Sequence, residues 1–144
     1  AEVEVDKTSG KITVQRITLA QDCGLIVNPD GVKNQIEGNV IQGVSRTLLE
    51  EVKFDASGIK SLDWLSYPIL HFPDIPEIDV VLINRPDMPS NGSGEPSLVP
   101  VPAAIANAVF DAVGVRLREV PMTPERVLAA LKAGVPSSEL LPTA

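Results

Sequence analysis

Hydrophobic positions along this chain follow two different periods, and the switches between them divide it into elements. Residues 1–6 alternate small or apolar side chains with acids, and Lys7-Thr8-Ser9-Gly10 supplies a turn. Residues 11–19 then alternate again at Ile12, Val14, Ile17 and Leu19, so the two runs predict a β-hairpin. A short apolar run, 23–27, ends at Asn28-Pro29-Asp30-Gly31, a turn and helix-start signal in which either Asn28 or Asp30 can cap the next helix. From there the period lengthens. Val32, Ile36, Val40, Val44 and Leu48 recur every fourth residue, with Ile41 alongside, and predict a helix over 32–50.

Further along, 50–54 and 59–65 read as paired strands around the turn Asp55-Ala56-Ser57-Gly58. Residues 67–76 are broken by Pro68, Pro73 and Pro76 and read as an ordered loop with one helical turn. Alternation at Ile78, Val80 and Leu82 predicts a strand over 77–84, and an alanine-rich stretch predicts a helix over 100–113 that Gly114 stops. Residues 115–120 read as a short strand. Thr123-Pro124-Glu125 combines a capping residue, a proline at the first helical position and an acid near the positive helix end, opening a helix to about Lys132. The expected class is α+β, with antiparallel strands and at least three packed helices. A single domain is expected over 1–133, followed by a mobile tail, 134–144.

Composition sharpens this picture in a few places. At 144 residues the chain is long enough for one real core, and 44% hydrophobic with 22% charged residues is a globular composition. Aromatics are only 3%, so Val, Ile, Leu and Ala must build that core. A net charge of −7 argues against nucleic acid and against anionic membrane surfaces as partners. No transmembrane run or signal peptide is expected, since the first residues are acidic and polar. The chain starts without Met in what reads as a strand, which suggests a processed chain or a piece of something larger. The compartment is not encoded. Cys23 is the one cysteine and is expected to be buried; His71, the one histidine, has no partner at ligand spacing and reads as structural.

Two stretches carry candidate chemistry. On the first helix, Gln35, Asn39, Gln42 and Arg46 form a second stripe, and its first three members are carboxamides where Lys and Glu would be ordinary. Such groups offer donors and acceptors without charge, which suits a buried polar ligand, a polar interface or plain helix packing. Gly38 and Gly43 cost the helix about 1 kcal/mol each against Ala, which suggests close approach of another backbone or a ligand. The other stretch is Asn91-Gly92-Ser93-Gly94-Glu95-Pro96-Ser97. It mounts one carboxylate between glycines and a proline that is expected to hold Glu95 near extended geometry. A carboxylate aimed by its backbone suits a general base, and the same residues also make an ordinary solvated turn.

Together, NQIEGNVIQG, GSGEPS and the lead-in NPDGVKNQIEG make the chain resemble the C-terminal end of the molybdopterin-binding large subunit of the xanthine oxidase and aldehyde oxidoreductase family. The resemblance covers about residues 23–131 and is nearest the bacterial isoquinoline and nicotinate oxidoreductase-like branch. It implies that Glu95 sits beside molybdenum and takes the proton of the water-derived oxygen that attacks an aldehyde or N-heterocycle. It implies that Gln35, and less directly Gln42, face the pterin, and that Gly94 lets it approach. The implied cofactor is molybdopterin with molybdenum, in the cytosine dinucleotide form. The implied partners are the remainder of the large subunit and an iron–sulfur subunit or domain. With one cysteine the chain itself cannot bind a cluster, so it is expected to act only as part of a larger enzyme. Two alternatives accompany this reading. One is a non-catalytic interaction or assembly module of the same domain family. The other is a two-carboxylate hydrolase, for which Asp87 is the nearest second acid.

Overall fold

The computed structural model describes residues 1–134. The expected mobile tail therefore lies, Gly134 apart, outside the described residues.

Strand β1 (Glu2–Val5) and strand β2 (Ile12–Asp22) form the expected antiparallel hairpin. Its alternation carries one irregularity with a physical cause. Val3 pairs with Val14 while Glu2 pairs with Arg16, so an extra residue bulges out of β2. The bulge resets the phase of the strand. Ile12 and Val14 are buried before it, and Ile17, Leu19 and Gln21 after it, so one face stays on the core throughout.

Helix α1 (Pro29–Leu48) starts at Asn28, whose Oδ1 accepts from the Gly31 N–H at 3.0 Å. Its buried stripe, Val32, Ile36, Val40 and Val44, is the four-residue repeat read from the sequence. After it the two expected strands shrink to a pair of two-residue ladders, β3 (Phe54–Asp55) and β4 (Gly58–Ile59). This ribbon is exposed on all four residues, so it has no face to bury and nothing to lengthen it. The proline-broken loop contains the expected helical turn, at Phe72–Asp74.

Strand β5 (Glu77–Ile83) corrects the expectation of antiparallel strands throughout. It lies beside β2 in parallel register, from Arg16↔Glu77 to Asp22↔Ile83, giving a mixed sheet of order β1-β2-β5. Parallel neighbours need a long crossover, and α1 lies within the one between them. Helix α2 (Val101–Val113) inserts Val101, Ile105 and Val109 into the core and stops at Gly114. With the preceding turn it forms an 18-residue stretch, Pro96–Val113, apolar and long enough by composition to cross a membrane; here it packs against α1 and β1. Residues 115–120 are not a strand. Val115 and Leu117 are buried, while Arg116 lies 3.9 Å from the Phe110 ring centroid and donates to Asn107 Oδ1. Side-chain anchors replace a ladder there. Helix α3 (Pro124–Ala133), capped by Thr123, completes three helices in an α+β fold.

Candidate functional site

β2 and β5 end together, and the chain segments leaving them stay in contact. Arg85 N–H donates to the Gly24 carbonyl (3.0 Å) and Asn91 N–H to the Cys23 carbonyl (2.8 Å). The Ile26 N–H donates to Asn84 Oδ1 at 3.1 Å. Gly24 makes this pairing possible. It sits at φ +76°, and a Cβ there would stand 2.0 Å from the Pro89 carbonyl oxygen. Cys23 is buried as expected, and it is the Cys23 backbone that holds the neighbouring loop. The glycine-rich stretch is thus carried to the start of α1, beyond the carboxyl ends of two parallel strands. Ligand crevices form at such places in α/β sheets because both loops leave on one side.

From α1, two carboxamides meet this stretch. Gln35 Nε2 donates to the Gly94 carbonyl at 3.1 Å, and Asn39 Nδ2 donates to the same oxygen at 2.7 Å. Asn39 Nδ2 also donates to Ser97 Oγ at 2.7 Å, with both side chains buried. Gln42, the third carboxamide, is exposed and makes no hydrogen bond among the described residues. The sequence stripe is therefore split: its first half grips the loop and its second half does not.

Glu95 is exposed, and its carboxylate has no hydrogen bond or ion pair among the described residues. Its backbone, at φ −121° and ψ −5°, is not extended as the following proline suggested. The Glu95 carbonyl accepts the Leu98 N–H at 3.0 Å and starts the short 3₁₀ turn Pro96–Leu98, which overrides the local preference. Asp87, the candidate second acid, is engaged with Arg85 at 3.3 Å.

A hollow of about 420 Å³ adjoins the stretch, lined by Cys23, Asn28, Gln35, Asn91 and Ser93 among others. A second hollow of about 310 Å³, bounded by Ile12, Val14, Val44, Leu48, Leu70 and Met122, is mainly apolar and includes none of the candidate residues. The first hollow is mainly apolar as well, with Leu25, Ile26, Val27 and Val32 in its lining, but it includes Gln35 of the candidate residues. Near the end of β2, Gln21 is buried with both amide atoms unpaired among the described residues, a polar group that sequence reasoning missed. Its place at the end of an otherwise apolar alternating face was the available signal. His71 is exposed, and no group of three or more His, Cys, Asp or Glu able to hold a metal occurs among the described residues.

A family model described as a molybdopterin cofactor-binding domain matches residues 1–76. A nicotinate dehydrogenase subunit from Pseudomonas putida is 53% identical over 131 residues, which is 91% of this chain and 11% of that protein. Among solved structures, quinoline 2-oxidoreductase from Pseudomonas putida 86 superimposes with a TM-score of 0.84 at 32% identity, over 92% of this chain and 18% of that one. Aldehyde oxidoreductase from Desulfovibrio gigas gives 0.77 at 37% identity, over 90% and 15%. The chain thus spans less than a fifth of each of these relatives. Matched by that family model over its first 76 residues, and in fold by these oxidoreductases over nine tenths of its length, the chain belongs to the molybdopterin-binding domains of the xanthine oxidase and aldehyde oxidoreductase family.

Proposed function

We propose that the chain contributes the general base, Glu95, and part of the pterin-facing wall to a molybdenum hydroxylase site. The supporting observation is how Glu95 is presented. The carbonyl before it is gripped from α1 by two amides, while the carboxylate itself is exposed and unpaired. Such a carboxylate accepts a proton at one Oε from a hydroxyl brought within hydrogen-bond reach, with no ion pair to break first.

The residues around it fit a molybdopterin group. A Cβ added at Gly92, Gly94 or Gly38 would meet nothing within 4 Å, so a large flat group has room to approach the backbone. The nearby polar groups, Gln35, Gln42, Asn91 and Ser93, are neutral donors and acceptors suited to a polar heterocycle. Gln35 Oε1 and the whole Gln42 amide remain available to such a ligand. When bound, the group supplies the two-electron redox centre. This chain's share is to admit it at Gly94, to contact it through Gln35 and Gln42, and to receive a proton at Glu95. The cytosine dinucleotide form accords with the bacterial relatives. The rest of a large subunit would supply the remaining pocket walls, and an iron–sulfur partner would serve as the electron acceptor. The relative at 53% identity is named for nicotinate, and those named for aldehydes match at 39% or below, which supports an N-heterocycle as substrate.

In the assembled enzyme, Glu95→Gln keeps the size of the side chain and removes the base. Turnover should fall about 10²–10⁴-fold, the usual range for a lost general base, with molybdenum and pterin content unchanged. Turnover that survives the substitution removes Glu95 from this role.

A further inference from the structure

We propose that Asn39 is a positioning residue for Glu95, acting through the loop that carries it; this rests on the reading of Glu95 as the base. Asn39 lies one turn beyond Gln35 on α1 and is buried. Its amide has two N–H groups, and they go to two acceptors that bracket Glu95: the Gly94 carbonyl immediately before it and Ser97 Oγ two residues after it, each at 2.7 Å. Pro96 lies between, with no N–H to give and a fixed φ. The Glu95 carbonyl closes the same turn by accepting from Leu98. The backbone on both sides of Glu95 is thereby restrained.

Gln35 reaches the same Gly94 oxygen from the solvent side at 3.1 Å. Asn39 differs from it in being buried and anchored twice, and buried hydrogen bonds are less exposed to competition from water. The consequence is catalytic, not merely structural, because a base must stand within hydrogen-bond reach of its proton. A displacement of about 1 Å in a reacting geometry costs up to about 10²-fold in rate.

The test uses the assembled, cofactor-loaded enzyme with Asn39→Ala, and Asn39→Asp as a variant that preserves volume while removing both N–H donors. Each is compared with Glu95→Gln. We expect kcat to fall about ten- to a hundred-fold at unchanged KM, with molybdenum and pterin content retained. Hydrogen–deuterium exchange of the peptide spanning residues 92–98 should rise while that of the remainder of α1 stays as in the parent. If Glu95→Gln is inactive but both Asn39 variants keep parental kcat, or leave exchange of 92–98 unchanged, the positioning role is overturned. Loss of molybdenum or a raised KM in both variants also overturns it, in favour of a wall of the pocket. An active Glu95→Gln enzyme instead overturns the base assignment and the positioning role with it.

Discussion

Gly38 and Gly43 share one helix, and their surroundings set them apart. A Cβ at Gly43 would stand 2.8 Å from Val101 Cβ, so this glycine lets α2 approach α1. Gly43→Ala should destabilise the chain by about 1–3 kcal/mol, the usual cost of overpacking, read as a lower denaturant midpoint. Gly38 has nothing within 4 Å of the same position. Gly38→Ala should therefore stabilise the isolated chain by up to about 1 kcal/mol through helix propensity alone. If both substitutions shift the midpoint the same way, the division between them fails. At Glu95 too the surroundings override the local rule. Its proline neighbour predicted extended backbone, and the 3₁₀ turn closed by Leu98 holds it at ψ −5° instead.

Among the elements, α1 connects the sheet to the loop at 91–97. Its buried stripe sits on the core, and its Gln35 and Asn39 hold Gly94. The sequence left two candidate caps, and the geometry selects Asn28, whose Oδ1 accepts from the Gly31 N–H. Asn28→Ala should cost about 1 kcal/mol in thermal or denaturant unfolding, whereas Asp30→Ala, which removes no cap, should cost distinctly less. A loss at Asp30→Ala as large as that at Asn28→Ala would mean that the acid in the first turn counts as much as the cap. The strand pairing was less legible. A run of alternating residues shows which face is buried but not which neighbour it takes. The sequence order strand–helix–strand over 12–83 was the available sign of a parallel pairing between β2 and β5 across α1.

Over the molecule as a whole, exposed apolar residues recur most densely along one stretch of the chain, with Val27 and Val99 among those exposed elsewhere. Phe54, Ile59, Leu62, Trp64, Leu65 and Phe72 are all exposed, Leu65 at 95% and Phe72 at 91%. They lie on an arm between α1 and β5 whose turns are polar and self-contained. The Ser66 hydroxyl, then the Ser66 backbone N–H, holds the Asp63 carboxyl below its ordinary value. Large exposed apolar patches mark surfaces that another protein surface covers. The isolated chain should accordingly self-associate, and Leu65→Glu with Phe72→Glu should return it toward monomer in sedimentation velocity. Association unchanged by the pair would place the adhesive surface elsewhere.

The sequence by itself determined the element periods, the small-residue core, the Thr123 cap of α3 and the two motifs that point to a molybdopterin site. All of these are local: a repeat of two or four residues, or a few neighbours whose backbone preferences and functional groups act within a turn. Tertiary structure decided the parallel pairing of β2 with β5, the loss of the strand expected at 115–120, and which carboxamides meet Gly94. It also separated Gly38 from Gly43 and left Gln42 apart from the grip. Each of these depends on what a residue meets from a distant part of the chain. Asn39 and Gly94 are 55 positions apart, and only the approach of two loops beyond the ends of β2 and β5 brings them within a hydrogen bond.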